Sequence, residues 1–226
     1  HQVDHVFVTS PKLKQSLEPY SRSIKYDPNV VDFDHFSQSL GYESNDLPAD
    51  LAKIPEPRIG FIGAISDYKL DIQMIASLAK SNPQMSFVFI GPTEEGESLT
   101  DLNSWSELTN IYFLGPKKYS SLPHYCSGFS CGWLPLRNNK YTESMFPMKF
   151  FEYLASGLPV VATSIHSLTE FSSVAFLCQP TADEFSKALH LAISGNGPSL
   201  EQRLEVARNN TYITRLRKML VFIGQD

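Results

Sequence analysis

Apolar residues recur along this chain in two rhythms. Short, continuous apolar runs rich in Val, Ile and Phe stand at residues 5–9, 24–26, 58–63, 85–90, 111–114, 129–134, 159–163 and 174–178. Such runs, bounded by Gly, Pro, Asn and Ser, read as strands buried on both faces. Between them the apolar positions fall at helical spacing, which predicts helices over 11–17, 70–81, 119–125, 147–156, 182–193, 200–208 and 212–220. Thr181 stands three residues before Glu184, a capping-box signal, and Phe185, Leu189 and Ala192 then recur on one face. Thr211 is placed to cap the last helix. Strands alternating with helices predict an α/β, Rossmann-like parallel sheet with helices on both faces. There is no internal repeat and no low-complexity tract.

The alternation breaks at YESNDLPADLAKIPEP, residues 42–57, which is polar and Pro-rich and reads as a linker or exposed loop. The expected organisation is therefore a junction segment at 1–40, a linker at 41–57, the Rossmann-like unit at 58–193 and C-terminal helices at 194–226. The acidic stretch 93–104 reads as an exposed loop.

Composition narrows the function. The 226 residues are 42% hydrophobic, enough for a substantial core. The net charge of −5 gives no basic footprint, which argues against nucleic acid or an anionic membrane as the main partner. Cys126, Cys131 and Cys178 form no CxxC pair and suit a reducing compartment better than a disulfide framework. No apolar run approaches a membrane span. The chain opens without Met at HQVDHVFVTS, already in a strand-like pattern, so we expect a piece of a longer protein. The expected location is cytoplasmic, with attachment to a membrane surface as the alternative.

Candidate chemistry gathers after the strands, because ligands of open parallel sheets sit at the strands' carboxyl ends. In IGFIGAISDYK, Gly63, Ala64 and Ser66 leave room for a ligand to approach backbone, although the spacing is not GxGxxG. In NIYFLGPKKY, Gly115 and Pro116 turn the chain and Lys117 and Lys118 follow, a turn able to meet a flat base or a phosphate. In FPMKFFEYLASGLPVVAT, Pro147 suits the first helical position and Gly157 the stop. Lys149 then falls in the first turn, where the helix dipole disfavours a cation. It either points into water or faces an anionic ligand. Glu152 follows at i,i+3, as in a surface salt bridge. On the functional reading, backbone near Ser144, Met145, Phe146 and Pro147 holds a diphosphate with Lys149, and Glu152 takes the two hydroxyls of a ribose.

The segment from NIYFLGP through FPMKFFEYLASGLPVVAT closely resembles the nucleotide-binding half of GT-B glycosyltransferases of the family 4 (group 1) type. HVFVTSPKLKQSL with PNVVDFDHF resembles that family's domain junction, and RIGFIGAISDYKLD the strand opening its C-terminal domain. RNNTYITRLRKML resembles its closing helix. The resemblance implies a donor-binding C-terminal domain that holds a nucleoside-diphosphate sugar. It implies retention of anomeric configuration. No metal is expected, since the helix start and Lys149, with Lys117 or Lys69, can stabilise the leaving diphosphate, and no cofactor is expected. The resemblance further implies an acceptor glycan or lipid-linked sugar bound largely by an N-terminal domain, commonly in polysaccharide biosynthesis. The ribose role carries to Glu152, the base-binding turn to residues 114–117, and the phosphate-facing lysine to Lys69. The family's first glutamate, near the donor sugar, falls by spacing on Ser144. Glu143 is one step off, and its role is carried over with that mismatch. The P-x-K-x-x-E-Y form resembles a variant subgroup, and Val30 replaces a usual glycine.

The alternatives are a GT-B-like sugar-nucleotide epimerase and a non-catalytic nucleotide- or protein-binding module. Asp32 and Asp34 form a DxD string, but it falls in the junction passage, and His124, Cys126 and Cys131 lack a fourth metal ligand. Asn209, Asn210 and Thr211 form a glycosylation string at the expected helix cap. Phe150 and Phe151 read as helix core.

Overall fold

A computed structural model describes residues 3–95, 98–99 and 101–224 of the chain. Six strands make the central sheet: β3 (Arg58–Ile62), β4 (Ser86–Ile90), β7 (Ile111–Phe113), β8 (Cys131–Leu134), β9 (Val160–Thr163) and β10 (Phe176–Cys178). Their spatial order is β10-β9-β8-β3-β4-β7, and every pairing is parallel. The sheet winds outward both ways from β3, so a topological switch point lies between β3 and β8. β3 and β4 are buried at all five positions each, which explains their unbroken apolar runs.

Two shorter strands, β1 (Val6–Val8) and β2 (Ile24–Tyr26), pair in parallel apart from this sheet. Helix α1 (Pro11–Leu17) lies between them, started by Ser10, whose hydroxyl accepts from the Leu13 N–H. Helix α2 (Phe33–Ser37) was not expected from the pattern. It has five residues, too few to show a period, and Asp32 caps it by accepting from the His35 N–H at 3.1 Å. The first member of the DxD string is thus a helix cap. Among the described residues no three His, Cys, Asp or Glu side chains group as a metal site.

Helices α3 (Ile72–Ser81), α4 (Leu122–Ser127), α5 (Lys140–Glu143), α6 (Lys149–Ala155), α7 (Ala182–Ile193), α8 (Leu200–Arg208) and α9 (Tyr212–Phe222) complete the chain. α3 starts two residues late because Asp71 is the cap and Leu70 instead bridges Leu136. α6 also starts late. Pro147 makes a turn, accepting from the Phe150 N–H at 3.0 Å, so Lys149 and not Pro147 takes the first helical position. Thr181 and Thr211 cap α7 and α9.

Residues 42–57 are mostly exposed, as expected of a loop, but two of them anchor it. Leu51 and Ile54 are buried in the core. The acidic stretch 93–104 lies partly outside the described residues. Within it, β5 (Glu94–Glu95) pairs antiparallel with β6 (Ser98–Leu99), and Trp105, just beyond, is buried and donates to the Ile72 carbonyl. All three cysteines are free and buried, and burial pushes each thiol up to about 12. No helix among the described residues is long and apolar enough to cross a membrane.

Candidate functional site

β3 and β4 pair through Ile62, but β3 and β8 pair only as far as Gly60 and Gly132. The sheet therefore splays at the switch point. The Ile62 N–H is met there by the Tyr153 hydroxyl of α6, at 2.8 Å. Tyr153 lies so close to β8 that a Cβ on Gly132 would stand 2.6 Å from its ring. Gly132 is thus the seat of α6, and this packing sets the helix start beside the crevice.

The loops leaving β3 and β8 are stitched together above the splay. The Arg137 N–H donates to the Lys69 carbonyl at 2.7 Å, and the Asn139 side-chain amide donates to the Tyr68 carbonyl at 2.7 Å. Asn139 also caps α5, which carries Glu143 at its exposed end. Ser66 and Lys69 sit in the first of these loops. Ser66 is buried, and the Lys69 ammonium lies 5.3 Å from the Tyr68 ring centroid and 5.8 Å from that of Tyr141.

Gly63, at the end of β3, is locked to the neighbouring loop. Its N–H donates to the Ile90 carbonyl, and the Gly91 N–H donates to the Gly115 carbonyl. Gly91 admits no side chain, since a Cβ would stand 2.0 Å from the Gly63 oxygen. Gly115 adopts φ +67 and begins the turn that Pro116 continues. Lys117 follows, and its ammonium is held by Asp50 at 2.7 Å, with the Tyr125 hydroxyl donating to the same carboxylate. Asp50 lies in the stretch read as a linker, so that stretch and the Gly115 turn are coupled.

Lys149 is only partly open to solvent. Its ammonium pairs with the Glu152 carboxylate, and the two side chains are 23% and 3% exposed. This is far more buried than an exposed surface salt bridge. Burial pushes the Glu152 carboxyl above the usual carboxylate range, and the charges of Lys149 and His35 oppose that rise. The anion on Glu152 offsets the unfavourable placement of a cation in the first turn. No side chain caps α6, whose opening turn lies against α2. His35 of α2 stacks on Tyr119 at 4.6 Å and bonds the Tyr119 carbonyl through Nε2, while Phe36 lies beneath the Lys149 ammonium at 6.0 Å. Burial pushes the Tyr119 phenol up to about 12, with Glu152 adding to the rise.

The first forty residues brace the loop before α6. The Ser10 hydroxyl donates to the Ser144 carbonyl at 2.9 Å, and the Asn29 amide donates to the Phe146 carbonyl at 2.7 Å. Met145 is half-buried, and Phe146 and Pro147 are buried. His35, Tyr119, Ser10 and Asn29 escaped the sequence reading. Each meets the site across a long stretch of chain, and no local spacing signals such a contact. The structure thus brings Lys149 and Glu152 together, ties the loop of Ser66 and Lys69 to the loop before Glu143, and places Gly63 and Gly115 at the ends of β3 and β7, linked through Ile90 and Gly91 at the end of β4. Lys117 it pairs elsewhere, with Asp50.

A sequence model described as glycosyl transferases group 1 matches residues 56–195. The chain is 29% identical over 171 residues to the putative teichuronic acid biosynthesis glycosyltransferase TuaH of Bacillus subtilis (strain 168), a match covering 74% of this chain and 43% of that protein. Among solved structures, the Anabaena protein Alr3699/HepE in complex with UDP-glucose aligns with TM-score 0.76 and 17% identity, over 99% of this chain and 64% of that one. Sucrose-phosphate synthase from Thermosynechococcus elongatus aligns with TM-score 0.74 and 20% identity, over 99% of this chain and 58% of that one. This chain spans less than half of its curated relative and about three-fifths of these structures. The structural likeness establishes the Rossmann-like α/β fold of GT-B glycosyltransferases, and the sequence match, covering more than half of the chain, establishes the family. The chain belongs to the glycosyl transferases group 1 family.

Proposed function

We propose that this chain is the donor-binding, C-terminal part of a glycosyltransferase that holds a nucleoside-diphosphate sugar. The observation that carries this reading is the buried Lys149–Glu152 pair beside the switch point. In this reading the Lys149 ammonium meets the diphosphate and the Glu152 carboxylate accepts from the ribose hydroxyls. Charge grows on the diphosphate as the glycosidic bond breaks, and a fixed cation in a partly dry site stabilises it. Lys149 supplies this charge, with Lys69 as a second cation, so the reaction is read as metal-independent and without a cofactor. Gly115, Pro116 and the backbone beyond them receive the base. Glu143 stands nearest the donor sugar. UDP-glucose, bound by the Anabaena relative, supports a uridine donor.

Retention of configuration, a hexosyl donor, and a glycan or lipid-linked acceptor held by an N-terminal domain complete the proposal. The relative named for teichuronic acid biosynthesis supports a polysaccharide product, and a cytoplasmic location belongs to the same proposal. The test is to supply a longer chain, containing an N-terminal domain, with UDP-sugars and acceptor glycans in chelator, and to follow the product's anomeric proton. Transfer with retention in chelator is expected. The present chain alone is expected to bind nucleotide and transfer nothing. Loss of transfer in chelator, or transfer by this chain alone, would overturn those parts of the reading.

A further inference from the structure

Two connections run side by side where the β1–β2 layer meets the central unit. One leads from β2 to α2 and the other from α8 to α9. The Val31 N–H donates to the Asn210 carbonyl at 3.0 Å, and Val31 and Thr211 form an isolated parallel bridge. Beside this crossing lies a cavity of about 10 Å³, lined by Asp27, Val30, Asn210, Arg215 and Lys218 among others. Asp27 is 3% exposed. Its Oδ2 is buried without a hydrogen-bond donor, and Nε of Arg215 is buried without an acceptor.

A buried polar atom left without a partner is costly, and here two of opposite character belong to residues that line one small cavity. The pairing selects the occupant. A cation would be repelled by Arg215 and Lys218, and an anion by Asp27. The volume is on the order of one water, for which about 10–15 Å³ is needed. A water can donate to a carboxylate oxygen and accept from a guanidinium N–H at once. We propose that a single ordered water bridges Asp27 Oδ2 and Arg215 Nε, clamping the β2–α2 connection to α9.

The clamp does not act alone, since the Lys25 ammonium donates to the Lys218 carbonyl at 2.6 Å on the same helix. The two ties hold α9 in register with β2. The β2–α2 connection and α9 therefore move as one piece wherever the β1–β2 layer shifts against the central sheet. This inference is independent of the nucleotide reading.

A high-resolution crystal structure of the chain tests the site directly. An ordered water within hydrogen-bond distance of both Asp27 Oδ2 and Arg215 Nε is expected. A direct Asp27–Arg215 contact, or no water there, would overturn the proposal. Thermal denaturation of Asp27→Asn, Arg215→Met and the double variant tests the coupling. Each single change is expected to lower Tm by a few degrees, and the double no further than the worse single. Additive losses would overturn the coupling, and the crystallographic arm stands whether or not a variant folds.

Discussion

The Tyr153 hydroxyl accepts the Ile62 N–H at 2.8 Å, where the ladder between β3 and β8 has already stopped. A strand end that leaves its neighbour exposes a backbone donor, and a fully buried donor must be met. α6 meets it, and so the crevice stays open without a buried, unbonded amide. Tyr153→Phe keeps the ring and its packing on Gly132 and removes only the acceptor. The expected loss is about 1–3 kcal/mol of unfolding free energy, the cost of one orphaned buried donor. Chemical denaturation measures it, and an unchanged midpoint would show that the amide finds another partner.

Lys149 and Glu152 predict a pH signature. Burial pushes the Glu152 carboxyl up, so the folded state keeps that proton to higher pH than the unfolded state does. As pH rises from about 4, the unfolded carboxylate range, through the raised folded value, stability falls; above it the penalty is constant. Lys149 opposes the shift. Lys149→Met should push the carboxyl further up and extend the falling window upward. Its deficit against the parent should therefore be small in acid and grow toward neutrality, to on the order of 2 kcal/mol, less than for a fully enclosed pair because Lys149 reaches solvent. Adding Glu152→Gln should recover most of it. A deficit independent of pH in denaturant titrations would contradict the pairing.

Two glycines separate close approach from backbone preference. Gly91→Ala forces a Cβ against the Gly63 oxygen, at φ +145. Gly115→Ala meets nothing within 4 Å and bears only its φ of +67. Gly91→Ala should lose on the order of 3 kcal/mol or fail to fold, and Gly115→Ala about 1 kcal/mol. Equal thermal shifts for the two would contradict the contact between the strand-end loops.

Lys117 is held by Asp50, and Lys149 sits at the helix start. Lys117→Ala should therefore weaken diphosphate binding by less than about threefold, on the scale of an exposed pair's fraction of a kcal/mol. A larger loss than that of Lys149→Ala, measured by titration, would move the phosphate site toward the Gly115 turn.

What the pattern of residues revealed, and what it hid, follows from range. β3, β4 and β9 are buried along their whole length, and continuous apolar runs report that directly. The cap signals at Thr181 and Thr211 are local, and both residues cap, although at Thr181 only the threonine half of the expected box forms. α2 and α5 have five and four residues, too short for a period, and only Asp32 and Asn139 hinted at them. At the site, Lys149 and Glu152 were visible because they lie one turn apart. His35 meets Tyr119 across 84 positions, and Ser10 meets Ser144 across 134, which no local rule encodes. In the stretch 42–57 the polar residues showed the exposed positions, while Leu51 and Ile54, the two that fix it to the core, were too few to show.

The most direct test of the central claim is calorimetric titration of this chain with UDP and UMP, repeated on Lys149→Ala and Glu152→Ala. If Lys149 holds the diphosphate and Glu152 the ribose, Lys149→Ala should weaken UDP by about tenfold or more and UMP far less, tenfold being about 1.4 kcal/mol. Glu152→Ala should weaken both nucleotides alike. UDP binding that ignores both substitutions would contradict the account and leave the Lys149–Glu152 pair as a structural ion pair.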